Sequence, residues 1–161
     1  MVVAEESRQS RVDEALRFLY VVCIGMILSV GVFAIVAWFV SNGPGALGQV
    51  GPPVPQALAY VGLAVGLALL VAAPLVHRKM LARAASSLRA DERTDTVLES
   101  FRLATLLAFI LREGAAIVGL MLTLLTNEPM WCYVLCAAAV VGMIWGWPRA
   151  EQLSGLLGAE G

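Results

Sequence analysis

Four long apolar stretches constrain this chain more than any other feature of its sequence: Leu16–Val40, Ala57–Val76, Leu103–Thr126 and Met130–Trp147. A hydrocarbon core about 30 Å thick takes roughly 20 apolar residues of helix to cross. Lipid offers the backbone no hydrogen-bond partners, so such stretches cross as helices. The segments between them are too short and too polar to build a second domain. A hydrophobic share of 60% and a mean hydropathy of +0.82 suit a chain whose solvent is largely lipid. The expected fold is all-α: an integral membrane four-helix bundle of two transmembrane hairpins with cytoplasmic helical extensions, forming one polytopic domain over residues 1–161.

The placement of basic residues predicts the orientation. Arg8, Arg11 and Arg17 precede or open the first span, Arg78, Lys79, Arg83, Arg89, Arg93 and Arg102 lie between the second and third, and Arg149 follows the fourth. The connections after the first and third spans, residues 41–56 and 127–129, contain no Lys or Arg. Under the positive-inside rule both termini and the loop at 77–102 are cytoplasmic, in an inner membrane, and the loop at 41–56 is external. The first span has a long leader carrying Glu5, Glu6, Asp13 and Glu14, unlike a cleaved signal segment, so it is expected to stay in the membrane.

Local signals predict where helices begin and end. Ser10 followed by Asp13 and Glu14 resembles a helix start, with residues 1–9 frayed before it. "SNGPGALGQVGPPVPQ" is an irregular loop expected to fold over the bundle end. Met80, Ala84 and Leu88 share a face, which extends the second helix past the membrane, and Thr96 with Glu99 has capping-box spacing that starts the next helix near Val97. Pro148 ends the fourth, and the tail beyond it reads as a short interfacial turn. Trp38 and Trp131 mark one interface, Trp145 and Trp147 the other. Gly62 with Gly66, Gly119, and Gly142 with Gly146 are read as packing positions where helix backbones approach. Arg78, Lys79 and Arg83 are placed to meet lipid headgroups. The two hairpins do not repeat each other in sequence.

The anomaly is "FILREGAAIVGL", which sets Arg112 beside Glu113 near the midpoint of the third span. Starting that span at Gly114 would leave too few apolar residues to cross, so both charges are expected inside, at roughly 2.5–3.5 kcal/mol each before partners relieve them. Neighbouring residues on a helix are turned 100° apart and do not face one another. Arg112 shares a stripe with Thr105, Ala108, Ala115, Gly119 and Thr126, small enough to face the bundle; Glu113 shares one with Leu106, Ile110, Ile117 and Leu120, at the edge of that face. Three roles compete. The charges form an internal polar lock joined to Tyr20, Tyr60, Thr105 or backbone carbonyls; or Glu113 is a protonatable ion site; or the Glu113 edge contacts an oligomer or heteromer partner.

The hairpin "LREGAAIVGLMLTLLTNEPMWCYVLCAAAVVGMIWGWPR", with its embedded "EGAA" and closing Trp–Pro–Arg, resembles a group of bacterial four-span membrane proteins. That resemblance implies location and fold, and no activity. Over Glu113–Leu120 the run "EGAAIVGL" also looks like the carboxylate-bearing helix of the rotor-ring proteolipid (c) subunit of rotary ATPases, which would make Glu113 an ion carrier. The chain departs from that subunit in the Arg112 beside the carboxylate, the sparse glycines of the second span and the missing polar loop motif.

Enzymatic signatures are missing: one histidine, His77, no plausible Ser–His–Asp set, no HExxH and no phosphate loop. The three cysteines lie in spans, which disfavours a disulfide framework, and no metal or cofactor is expected. Scattered arginines without a motif give no reason to expect nucleic acid. The expected partners are the bilayer and a second copy or another membrane protein. The reading is a structural or interaction subunit, not an enzyme; the alternative is a proton- or cation-translocating subunit using Glu113. A phosphatase reporter inserted in the loop at 41–56 is expected to be active, and one at Ala90 or at the C-terminus silent; the reverse pattern would invert the orientation.

Overall fold

The computed structural model describes residues 2–42, 55–87 and 94–148. Within them the chain is helical: α1 (Val2–Asn42), α2 (Gln56–Ser87), α3 (Thr94–Thr126) and α4 (Met130–Trp145). Three of these helices contain stretches long and apolar enough to cross a membrane, Asp13–Asn42, Gln56–Arg83 and Glu99–Thr126, and α4 is a shorter apolar helix.

Several boundaries differ from the sequence reading. The first helix begins at Val2, not near Ser10, because Ala4, Glu5, Glu6, Arg8 and Gln9 are good helix formers with no Gly or Pro among them. Extending an existing helix by such residues costs little compared with nucleating a new one. The third helix starts at Thr94, so Thr96 lies inside it and does not cap it. The fourth helix stops at Trp145, two residues short of the expected end, and its 16 residues span only about 24 Å. Pro148 lacks an amide hydrogen and disfavours helical geometry in the residue before it. Trp147 accordingly leaves the helix, and its ring stacks on Tyr20 of α1 with centroids 5.6 Å apart. Of the expected 41–56 loop, residues 41–42 continue α1 and Gln56 opens α2; its residues 43–54, the Leu88 end of the α2 extension and the interfacial turn beyond Pro148 fall outside the described residues.

α3 is the central helix. It packs against all three others, whereas α1 and α2 scarcely meet. In the most apolar window of α3, 44% of residues are buried, against 17% in the corresponding windows of α1 and α2. α1 runs parallel to α3, pairing Leu19 with Phe101 near one end and Ser29 with Glu113 midway. α2 and α4 run antiparallel to α3, as the approaches of Gly62 to Leu122 and Gly119 to Cys132 show. The interior combines many small side chains, Ala104, Ala108, Ala115, Ala116, Ala139, Cys23 and Cys132, with a few large ones, Leu19, Phe101, Phe109, Leu135 and Met143. Large apolar side chains such as Val21, Leu28, Ile35, Val65, Val71 and Ile144 face outward. This distribution fits lipid as the solvent: there the outer surface gains nothing by being polar, and tight backbone approach drives association.

The α3–α4 turn is closed by its own polar groups. Asn127 adopts φ 59°, a left-handed position that Asn tolerates, and its amide donates to Thr123 O at 2.8 Å. The Thr123 hydroxyl donates to Glu128 O at 3.1 Å, and Trp131 Nε1 donates to Glu128 Oε2 at 3.0 Å. The short turn brings the helices together at Gly119, where an added Cβ would lie 3.0 Å from Cys132 Cα and 3.2 Å from Trp131 O. Backbone atoms cannot swing aside as a side chain can. Gly119→Val is therefore expected to destabilise the fold by about 1–3 kcal/mol, read as earlier unfolding in a denaturing-detergent titration.

Candidate functional site at the Arg112–Glu113 step

The 100° turn between Arg112 and Glu113 sends them to opposite partners. Glu113 is half-buried and turns to α1, where Ser29 Oγ donates to its Oε1 at 2.6 Å. Ser29 is the one Ser or Thr in the Leu16–Val40 stretch, and parallel packing of α1 on α3 brings it to the level of Glu113. That matched depth is readable in the sequence, but only once α1 is known to pack parallel to α3.

Arg112 turns the other way and is 8% exposed. Its Cζ sits 5.6 Å from the ring centroid of Phe109, one helical turn back, a cation–π distance. Among the described residues no ion pair or hydrogen bond holds its guanidinium. Its bed is α4: a Cβ at Gly142 would lie 3.1 Å from Nε, and one at Gly146 would lie 2.5 Å from an Nη nitrogen. These two glycines were expected to let helix backbones approach; they instead leave room for the Arg112 side chain. Gly62 and Gly66 keep a packing role, facing Leu122 and Leu135, although the partner is a leucine side chain and not a backbone. At Gly119 the backbones do approach.

The partners expected for the pair are elsewhere. Tyr20 stacks on Trp147, and Tyr60 is exposed. Thr105 lies on the Arg112 face, fully buried, and its hydroxyl has no hydrogen-bond partner. Thr105 and Arg112 both line a cavity of about 440 Å³ whose floor is α3 and whose walls are α2 and α4. His77 and Arg78 stand on the α2 wall, Trp145 and the two glycines on the α4 wall. Arg78 thus joins this cavity, whereas Lys79 is exposed outside its lining; Arg83 is also exposed. Arg102, one turn before Leu106, lies 5.8 Å by its Cζ from the Phe18 ring on α1.

Cys132 and Cys136 place their sulfurs 3.5 Å apart as free thiols, and Cys132 Sγ contacts Phe33 O at 3.7 Å. Among the described residues no cluster of three or more His, Cys, Asp or Glu side chains is arranged to hold a metal ion. Comparison with family models, curated proteins and solved structures finds no match. What the fold defines, over the described residues, is an all-helical chain with three helices able to cross a membrane, its central helix carrying a buried Arg112 and a half-buried Glu113 that turn to different helices.

The bed of Arg112 makes a specific expectation. Gly146→Leu should displace the guanidinium from α4 and cost about 1–3 kcal/mol in a denaturing-detergent titration, because Leu enters a filled site. Gly31→Leu, at an α1 position with open space around it, should be close to neutral in the same denaturing-detergent titration.

Proposed function

We propose that the chain is a structural or interaction subunit of the bacterial inner membrane, a four-span bundle whose central helix is locked by the hydrogen bond between Ser29 and Glu113. That bond carries the reading: it occupies the carboxylate with a partner from another helix, 84 residues away in sequence. The basic residues in 78–102 support cytoplasmic termini and middle loop. In this reading the short α4 crosses with the help of the Gly146–Pro148 segment, whose non-helical backbone is tolerated because Pro148 is buried in protein. The outward-facing apolar side chains make the bilayer its first partner, and a second copy or another membrane protein its further one.

The alternative, ion translocation through Glu113, predicts a different behaviour, and one pair of measurements separates the two. A double-mutant cycle on Ser29→Ala and Glu113→Ala is expected to give a coupling of about 0.5–2 kcal/mol in detergent unfolding, the range for interhelical hydrogen bonds in membranes. Liposomes holding the wild type are expected to show no proton or monovalent-cation flux. Flux that disappears in a folded Glu113→Gln variant would replace the lock with an ion site.

A further inference from the structure

We infer that the cavity between α2 and α4 is an anion site, in which Arg112 and Thr105 hold the oxygens of a phosphate group. The inference uses the proposed orientation only to place the site at the cytoplasmic side, and it does not depend on the Ser29–Glu113 lock.

Four observations converge on it. Arg112 is nine-tenths buried, and among the described residues it has a cation–π contact but neither a hydrogen bond nor an ion pair. A guanidinium carries five donors in a planar fork that matches oxyanions, and a buried cation without a counter-charge is costly. Thr105, at 1% exposure, has a hydroxyl that nothing satisfies, and it lines the same cavity. Buried polar groups in folded proteins nearly always find a partner, so the unsatisfied Thr105 hydroxyl marks a place where one binds, and the Arg112 side chain lines the same cavity.

The second cationic contribution comes from Arg78 on the opposite wall, with His77 beside it, and no Asp or Glu among the described residues lines the space. The field inside therefore selects negative charge. The third is the glycine pair: Gly142 and Gly146 hold the guanidinium against α4 and keep the centre of the cavity open. The fourth is size, since about 440 Å³ lies within the roughly 300–1,000 Å³ of small-ligand sites and far exceeds one water. α2 and α4 meet only weakly, so the cavity is a groove floored by α3 at the end of the bundle where α2 leaves, α3 enters and α4 stops. Basic pockets between helices at this depth suit phosphate headgroups. The same oxygens are offered by a lipid phosphodiester or by phosphate in solution.

The experiment distinguishes these sources. Purified protein is placed in phosphatidylcholine nanodiscs, and its thermal midpoint is measured after doping with phosphatidylglycerol or after adding inorganic phosphate. An anionic-lipid response alone identifies a lipid phosphate; a response to inorganic phosphate identifies a site open to solution. Either should raise the midpoint by about 3–5 °C at saturation. Thr105→Val and Arg112→Gln should each weaken apparent affinity at least about tenfold, and Val65→Ala, at an exposed position outside the cavity lining, should leave it unchanged. Thr105→Val also removes an unpaired buried hydroxyl, so without ligand it should be as stable as the wild type or more so. If Arg112→Gln fails to fold, Thr105→Val decides alone. No shift with either phosphate source, or a shift equal in Thr105→Val and wild type, would overturn the site.

Discussion

Everything in this bundle depends on how α3 accommodates two adjacent charges, Arg112 buried and Glu113 half-buried. Because consecutive helical residues are turned 100° apart, Arg112 and Glu113 cannot satisfy each other without one side chain wrapping around the helix. A helix at the edge of a bundle would leave one of them facing lipid. α3 avoids this by sitting at the centre, with α1 on the Glu113 side and α2 and α4 around Arg112. The central position of α3, the parallel approach of α1 and the glycines of α4 are all conditions for keeping that dipeptide in an apolar run.

The two charges are treated differently. Glu113 meets a hydroxyl from α1 in a short hydrogen bond of 2.6 Å. Arg112 rests on the glycines of α4 and the Phe109 ring, and lines a cavity together with Thr105, whose buried hydroxyl is unsatisfied. One charge closes the structure; the other leaves it open. The fold that holds the helices together thus also keeps an electropositive space between them, and the proposed anion would complete the set of interactions that Glu113 completes within the chain.

Small residues serve three distinct purposes that their spacing does not separate. Gly119 permits backbone contact next to a turn closed by Thr123, Asn127 and Glu128. Gly62 and Gly66 receive leucine side chains from α3 and α4. Gly142 and Gly146 make room for a cation. A small-xxx-small pattern predicts that something approaches closely, and what approaches is decided by the facing helix.

The sequence by itself determined the helical class, three of the four expected spans as long apolar helices, with the fourth only a shorter apolar helix, the short hairpin turn and the divergent directions of Arg112 and Glu113, because each follows from local periodicity, length or the helical turn angle. It misplaced the helix start at Ser10, where a capping signal competes with preceding residues that propagate a helix well, placed the start of α3 near Val97 and not at Thr94, and ran α4 two residues too far past Trp145. Only the tertiary structure decided that Ser29 meets Glu113, that Trp147 leaves α4 to stack on Tyr20, that Thr105 shares a cavity with Arg112 without bonding to it, and that the α4 glycines cradle an arginine. Those outcomes depend on which helices are neighbours and in which direction they run. Helices whose outward faces are all apolar carry little sequence signal for that choice, since lipid accepts many packings and the few polar and glycine positions select among them.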